Sequence, residues 1–118
     1  MKFTTSLKKN YEFRRLYSKG KCAAAPCLAV YVRFSGKNTN QVGITVTNKL
    51  GKAVVRNRIR RRLREIYRLN EESLARGFDM VVVARMKSRT ASYGELEGDF
   101  LKACARLGLL GRAEGRGE

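Results

Sequence analysis

A run of arginines near the middle of the chain has the highest density of charged side chains in the sequence. Residues 49–68 hold nine basic side chains against one acid, Glu65, so this segment has a net charge of +8, half of the +16 carried by all 118 residues. In a helix, arginines at every fourth position would form one row: Arg56, Arg60, Arg64 and Arg68. Like charges at this spacing destabilise a helix unless an anion neutralises them. Because a guanidinium donates two parallel hydrogen bonds to phosphate, the row indicates a surface that binds a polyanion.

The side chains that enzymes use most often for catalysis are absent or scattered. The chain has no His, which removes the commonest general base. Its ten acidic residues are spread along the sequence, so no group of carboxylates is expected to hold a metal ion. Three cysteines at irregular spacing argue against a disulfide framework or a zinc site, and we expect structural thiols at Cys22, Cys27 and Cys104. An autonomous protein nuclease is therefore disfavoured.

Chain length and hydropathy help to decide whether the polyanion is nucleic acid or an anionic membrane. A chain of 118 residues fits one domain. No apolar run approaches the roughly 18 residues that a transmembrane helix needs. The first residues lack the apolar stretch of a secretory signal. We therefore expect a cytoplasmic protein whose partner is nucleic acid and not a membrane.

Hydrophobic patterning predicts an α+β layout in the order α-β-β-α-β-α. After an arm at residues 1–9, a short helix is predicted near Tyr11–Ser18, with Asn10 as its N-cap. Alternating apolar residues predict strands at 28–34 and 41–47, joined as a hairpin by a turn-rich loop. A continuous apolar run at 80–84 predicts a strand buried on both faces.

Two more helices complete the layout. The arginine segment predicts a helix from Ala53 to Asn70, or on to Arg76, with one apolar face: Val55, Ile59, Leu63, Ile66 and Tyr67. Ser92 and Glu95 have the spacing of a capping box and predict the start of the last helix. Residues 1–107 are expected to form a single RNA-binding domain, and residues 108–118 a flexible Gly-rich tail.

The segment Lys49–Arg61 resembles the Arg-Asn-Arg signature, with its flanks, of the bacterial ribonuclease P protein subunit, here Arg56-Asn57-Arg58. Three other segments are similar to the same family, so the resemblance covers residues 7 to about 107: 7–13, 42–47 and 81–85. The chain departs from the family pattern at Tyr17, where Phe is common, and at Asn48, where a basic residue is common.

The resemblance implies a fold, the binding partners, and which of the two subunits is catalytic. The implied fold is a two-layer α/β sandwich, like that of some ribosomal proteins, with a left-handed βαβ crossover. In this family the RNA subunit is the ribozyme and binds the catalytic Mg²⁺, so the protein is expected to hold no metal, no other cofactor and no catalytic residue. The implied partners are the catalytic RNA subunit and precursor tRNA, with no membrane or DNA.

Matching positions supply the expected site residues. The catalytic RNA would be bound by Lys52, Arg56, Asn57, Arg58, Arg60, Arg61, Arg64 and Arg68. The 5′ leader of precursor tRNA would lie against Phe13, Tyr17, Tyr31, Arg33 and Lys49. From spacing alone, the two aromatics of the first helix read more readily as core residues. A ribosomal or other structural RNA-binding protein is the alternative function, and a DNA-compacting protein fits the single dense patch less well.

Overall fold

The computed structural model describes residues 2–110. Within them five strands form one sheet: β1 (Thr4–Ser6), β2 (Lys21–Ala24), β3 (Leu28–Phe34), β4 (Asn40–Thr45) and β5 (Phe78–Ala84). Three α-helices accompany the sheet: α1 (Asn10–Lys19), α2 (Ala53–Asn70) and α3 (Tyr93–Arg106). Single 3-10 turns lie at Asn48–Leu50, Glu71–Ser73 and Met86–Arg89. The predicted α+β class is confirmed.

The sheet has the strand order β1-β4-β5-β3-β2, with β5 at its centre. β5 runs antiparallel to β3 and parallel to β4, so the predicted hairpin between residues 28–34 and 41–47 is wrong. Val81 and Val82 are buried on opposite faces of β5, as is typical of a central strand, and β5 accordingly pairs with β3 along one edge and with β4 along the other. The chain passes from β4 through α2 to the parallel strand β5, which is a βαβ crossover. Its left-handed sense stays a prediction.

Two short edge strands were not predicted from the hydrophobic pattern of the sequence. β1 lies in the predicted arm and pairs parallel with β4, and β2 pairs antiparallel with β3. Strands of three and four residues are too short to show alternation, so their existence depends on tertiary pairing. Glu71 anchors the first of them, since its carboxylate accepts from the N–H groups of Lys2 (2.9 Å) and Phe3 (3.2 Å) and from the Thr4 hydroxyl (2.6 Å). The N-terminal segment is therefore fixed to the end of α2.

Helices lie on both faces of the sheet. The larger core packs α2 and α3 against one face, with Ile59, Ile66 and Phe100 among its fully buried side chains. On the other face α1 buries Leu16 against Leu7 and Val81. The predicted two-layer sandwich thus gains a third, partial layer made of one helix.

Most predicted helix boundaries agree with the structure. Lys9, and not Asn10, is the N-cap of α1, whereas Ser92 caps α3 with the predicted capping box. α2 ends at Asn70, and its possible continuation to Arg76 is replaced by a 3-10 turn. Leu109 is fully buried, so the domain reaches past residue 107. The rest of the predicted tail, residues 111–118, lies outside the described residues.

Candidate nucleic-acid interface

The arginine face of α2 is held in place by its apolar face. Ile59, Leu63, Ile66 and Tyr67 are buried, as predicted, and Val55 is partly buried against the same core. Basic and polar side chains point away from that core: Asn57, Arg58, Arg61, Arg64 and Arg68 are exposed, and Arg56 and Arg60 are half-buried. Lys52 is the exposed N-cap. Because a helix N-terminus is itself positive, cations there favour a bound anion.

Three of these arginines have polar partners within the protein. Arg56 Nε donates to the Gly51 carbonyl at 3.1 Å, and Arg60 Nη1 donates to Asn57 Oδ1 at 3.0 Å. Arg68 forms an ion pair with Glu65 at 2.7 Å, and this hydrogen bond holds the pKa of Glu65 below its ordinary value. The row of like charges predicted from the sequence is therefore neutralised at its last member. Among the described residues no acid pairs with Arg58, Arg61 or Arg64.

An aromatic pair lies where α1 meets the sheet. The rings of Tyr17 and Tyr31 pack edge to face with centroids 5.0 Å apart. The hydroxyl groups of Tyr17 and Thr45 are hydrogen-bonded at 3.1 Å. Tyr17 is 42% exposed and Tyr31 is half-buried, so the pair belongs to the surface as well as to the α1 packing. We name the groove that Tyr17, Tyr31 and Thr45 border the α1 cleft.

The floor of the α1 cleft is made of small side chains. The strand registers place Ala29, Val83 and Thr45 side by side across β3, β5 and β4, on the same face as Tyr31. All three are only half-buried, so α1 leaves this row partly open. A flat apolar floor beside an aromatic edge suits a nucleobase, because every base presents a stacking face.

Phe13 lies deeper than the tyrosines. Its half-buried ring packs against the smaller core and contacts Gly43, where an added Cβ would lie only 2.6 Å from the ring. This close approach explains why β4 carries a glycine at that position. Phe13 therefore supports α1 against the sheet and borders the cleft only from below.

Arg33 lies two residues after Tyr31 on β3, is exposed, and projects from the same face of the sheet. Arg33 stands opposite Asp79 of β5 in the strand register. The charges of Glu12 and Arg15 on α1 also act on the Asp79 carboxyl. Burial, followed by the charge of Glu12, raises the pKa of Asp79. Arg33 thus stands beside Asp79, whereas the hydroxyl of Tyr17 is hydrogen-bonded to that of Thr45. Lys49, which is exposed in the turn after β4, lies at the Thr45 end.

Three residues near the aromatic pair were not predicted as site residues from the sequence. Thr45 and Gly43 alternate on one face of β4, but that face could be matched to Tyr31 only after β5 was placed between the strands. Cys22 is exposed and directly opposite Tyr31, and its proximity raises the pKa of that tyrosine. The expected structural role of the thiols therefore does not hold for Cys22.

Cys27 and Cys104 do have that structural role. Both are buried, and burial raises the pKa of Cys27 to about 11 and that of Cys104 to about 12. Thiols of this kind stay protonated at neutral pH and behave as small apolar groups.

Residues 2–110 contain no cluster of three or more His, Cys, Asp or Glu side chains that could hold a metal ion. In the same part of the chain, no helix combines the length and the apolar character needed to cross a membrane.

The fold and its two surfaces, one cationic and one aromatic, define a small basic α+β protein of the nucleic-acid-binding class. The chain belongs to the ribonuclease P protein family, which residues 1–108 match. It is 42% identical to the ribonuclease P protein component of Alkaliphilus oremlandii over 113 residues, covering 96% of this chain and 99% of the relative. The corresponding protein of Clostridium novyi is 41% identical over 111 residues, covering 92% and 98%.

Solved structures agree with the sequence relatives. The RNase P protein of Staphylococcus aureus superposes with a TM-score of 0.81 at 27% identity, covering 89% of this chain and 96% of that protein. The RNase P protein of Thermotoga maritima has a TM-score of 0.79 at 30% identity, covering 86% and 96%. The family resemblance read from the Arg-Asn-Arg signature is thus confirmed, together with the fold class.

Proposed function

We propose that this chain is the protein subunit of ribonuclease P, which binds the catalytic RNA and the 5′ leader of precursor tRNA and assists endonucleolytic removal of the leader. The observation that carries the proposal is the partly exposed Tyr17–Tyr31 pair on one surface of a chain whose α2 presents unneutralised arginines on another. One surface suits the phosphates of a folded RNA, and the other suits the bases of a single strand.

The arginine face of α2 is assigned to the catalytic RNA. Arg58, Arg61 and Arg64 project from a helix whose opposite face is anchored in the core, so their backbone positions are fixed before RNA binds. Each phosphate that they neutralise releases counterions, which makes the affinity dependent on salt. Lys52 and Arg56 extend this surface to the N-terminus of α2. Arg68, whose charge is offset by Glu65, is expected to contribute least.

The α1 cleft is assigned to the leader. Tyr17 and Tyr31 offer ring edges and faces to unpaired bases, and stacking contributes roughly 1–3 kcal/mol per base. Lys49 stands at the Thr45 end, where it can neutralise a phosphate of the same strand. Arg33, exposed two residues after Tyr31 on the same strand face, can neutralise another phosphate of the RNA strand.

Catalysis is assigned to the RNA subunit and to the Mg²⁺ that it binds. The protein supplies affinity and orientation, and we expect it to be inactive alone because His is absent and its carboxylates are scattered. This assignment also implies a cytoplasmic location, where precursor tRNA is processed.

Reconstitution tests the proposal. Cleavage of a precursor tRNA is measured with the protein alone, with a bacterial ribonuclease P RNA alone, and with both, over a range of Mg²⁺ concentrations. We expect no cleavage by the protein, and a lower Mg²⁺ requirement for the complex than for the RNA. Leader removal by RNA-free protein, or a complex no better than the RNA, would contradict the proposal. Co-purification with ribosomal RNA instead would support the structural RNA-binding alternative.

A further inference from the structure

A cavity of about 160 Å³ lies where α1, β4 and α2 meet. Its wall includes Phe13 and Gly43 from beneath the α1 cleft, and Arg60 and Arg64 from the arginine face. Ser6, the last residue of β1, stands at its rim and is exposed. The two surfaces assigned above therefore meet at one recess, although Phe13 and Arg60 are 47 positions apart along the chain.

The backbone of β4 is open on the side of this cavity. β1 ends at Ser6, opposite Val42, and the N–H of Leu7 donates to the Val42 carbonyl at 3.0 Å as the chain leaves the sheet. Beyond that point no strand within residues 2–110 lies beside β4 on this side. Backbone groups of a strand alternate between its two sides, so Ile44 presents its N–H to the same side as Val42. Ile44 also lines the cavity, which gives the recess a backbone donor.

The charge of the recess is positive. Arg60 and Arg64 lie one helical turn apart, and neither forms an ion pair within the described residues. The Tyr67 hydroxyl at the back of the cavity is already engaged by Thr4 (2.8 Å) and Asn40 (3.3 Å). The donors left for a bound anion are thus two guanidinium groups, the Ser6 hydroxyl and one peptide N–H, a set that matches the oxygens of a phosphate group.

We propose that this cavity is a phosphate-binding site for a single strand of RNA, which crosses the open edge of β4 between the α1 cleft and the arginine face. The proposal rests on the proposed function for the identity of the RNA, and it deepens that function by naming a third contact. The phosphate can belong to the leader or to a single-stranded segment of the RNA subunit. The recess is bounded by Phe13 on one side and by arginines on the other, so one sugar-phosphate unit would contact both.

Two neighbouring residues of β1 provide a matched pair of variants. Ser6→Glu places a carboxylate at the rim of the cavity, where it repels phosphate. Thr5→Glu adds the same charge to the same exposed strand, but Thr5 does not line the cavity. Both side chains are exposed, so neither substitution disturbs the core. The pair therefore separates a local effect on the cavity from a general effect of one negative charge.

The first experiment titrates the full-length free protein with 5′-phosphorylated triuridylate and with inorganic phosphate, followed by amide NMR spectra. We expect saturable shifts of the Ser6, Gly43 and Ile44 amides in the wild type and in Thr5→Glu. Ser6→Glu should weaken triuridylate binding at these amides by at least about tenfold. Equal binding by the two variants, or shifts that leave these amides unmoved, would overturn the proposal. This measurement does not depend on ribonuclease P activity.

The second experiment locates the source of the phosphate in the reconstituted complex. If Ser6→Glu lowers the affinity for precursor tRNA and leaves that for mature tRNA unchanged, the phosphate belongs to the leader. If Ser6→Glu lowers the affinity for the RNA subunit, the phosphate belongs to that RNA. Either result supports the phosphate site. Identical behaviour of Ser6→Glu and Thr5→Glu in both assays would overturn it. If the wild type and Thr5→Glu complexes both fail to process precursor tRNA, the proposed function fails, whatever the NMR titration shows.

Discussion

Tyr17 of α1 and Tyr31 of β3 pack edge to face, with ring centroids 5.0 Å apart and ring planes at 83°. The hydroxyl of Tyr17 is also hydrogen-bonded to that of Thr45 on β4, so a single side chain connects the helix with two strands. Tyr17 nevertheless remains 42% exposed. The pair is therefore ordered before any ligand arrives, which reduces the entropy lost on binding.

Replacing Tyr31 should weaken binding of the leader selectively. Stacking is worth roughly 1–3 kcal/mol per base, so Tyr31→Ala should lower the affinity of the reconstituted complex for precursor tRNA by roughly 5- to 150-fold. Binding of mature tRNA, which has no leader, should barely change. Both affinities are measured at fixed salt and Mg²⁺ concentrations.

Phe34 provides the control for this change. It lies on the same strand, is 52% exposed and faces the opposite side of the sheet, so Phe34→Ala should leave both affinities unchanged. If Tyr31→Ala weakens precursor and mature tRNA equally and also lowers the melting temperature, Tyr31 acts through the packing of α1 and not through the leader.

The salt dependence of binding to the RNA subunit should report the arginines of α2. Each phosphate contact contributes roughly 0.7–0.9 to the slope of log K against log salt, so Arg60→Ala with Arg64→Ala should flatten the slope by up to about 2. Lys102→Ala with Arg106→Ala removes two exposed cations at the same spacing from α3 and should change it little. An unchanged slope in the α2 variant would remove this helix from the RNA contact.

Two glycines should respond to alanine in opposite directions. At Gly43 a Cβ would lie 2.6 Å from the Phe13 ring, and such overpacking typically costs about 1–3 kcal/mol of stability. At Gly98, within α3, a Cβ meets no atom within 4 Å. Gly98→Ala should therefore stabilise the protein by roughly 0.5–1 kcal/mol, since alanine favours a helix. Urea unfolding of both variants checks the signs, and stabilisation by Gly43→Ala would show that Phe13 does not hold α1 in this position.

Glu71 should make stability depend on pH at the acid end. Burial raises the pKa of this carboxyl, but hydrogen bonds from the Thr4 hydroxyl and from the N–H groups of Lys2 and Phe3 outweigh burial, so the pKa lies below its ordinary value. The stabilisation by ionised Glu71 is therefore complete above the ordinary carboxyl pKa of about 4.3, and it is lost as the pH falls through the lower folded value. Glu71→Gln should be less stable than the wild type at pH 7, and the difference should shrink on acidification.

Glu72 is the matched control for this prediction. It is the next residue, it is exposed, and its ion pair with Lys2 lies on the surface. Surface pairs of this kind contribute little to stability, so Glu72→Gln should follow the pH profile of the wild type. The pH dependence is measured by urea unfolding between pH 7 and pH 3. A constant difference between the wild type and Glu71→Gln would mean that the carboxylate of Glu71 is not stabilised by its N-terminal partners.

Several features depend only on residues close together in the sequence and could therefore be predicted from the sequence alone. The 3.6-residue period of α2 separates Ile59, Leu63 and Ile66 from the arginines, so the helix, its buried face and its cationic face were all predicted. The capping box at Ser92 depends on residues three apart and was equally visible. The Arg-Asn-Arg signature lies in the first six residues of this helix, and with its flanks and three further segments it indicated the family that residues 1–108 match.

Tertiary structure decided what depends on pairing between distant segments. Patterning shows which faces of a strand are apolar, but it does not show which strand lies beside it, so β5 was not expected between β3 and β4. That insertion matched the face of Tyr31 with that of Thr45, to which Tyr17 of α1 is hydrogen-bonded. Likewise, the meeting of Phe13 with Arg60 and Arg64 at the edge of β4 follows from where β1 ends, which a three-residue strand does not reveal in sequence. The sequence by itself thus determined the chemistry of each surface, and long-range strand pairing determined how the surfaces are joined, because hydrogen bonds between strands carry no local signal.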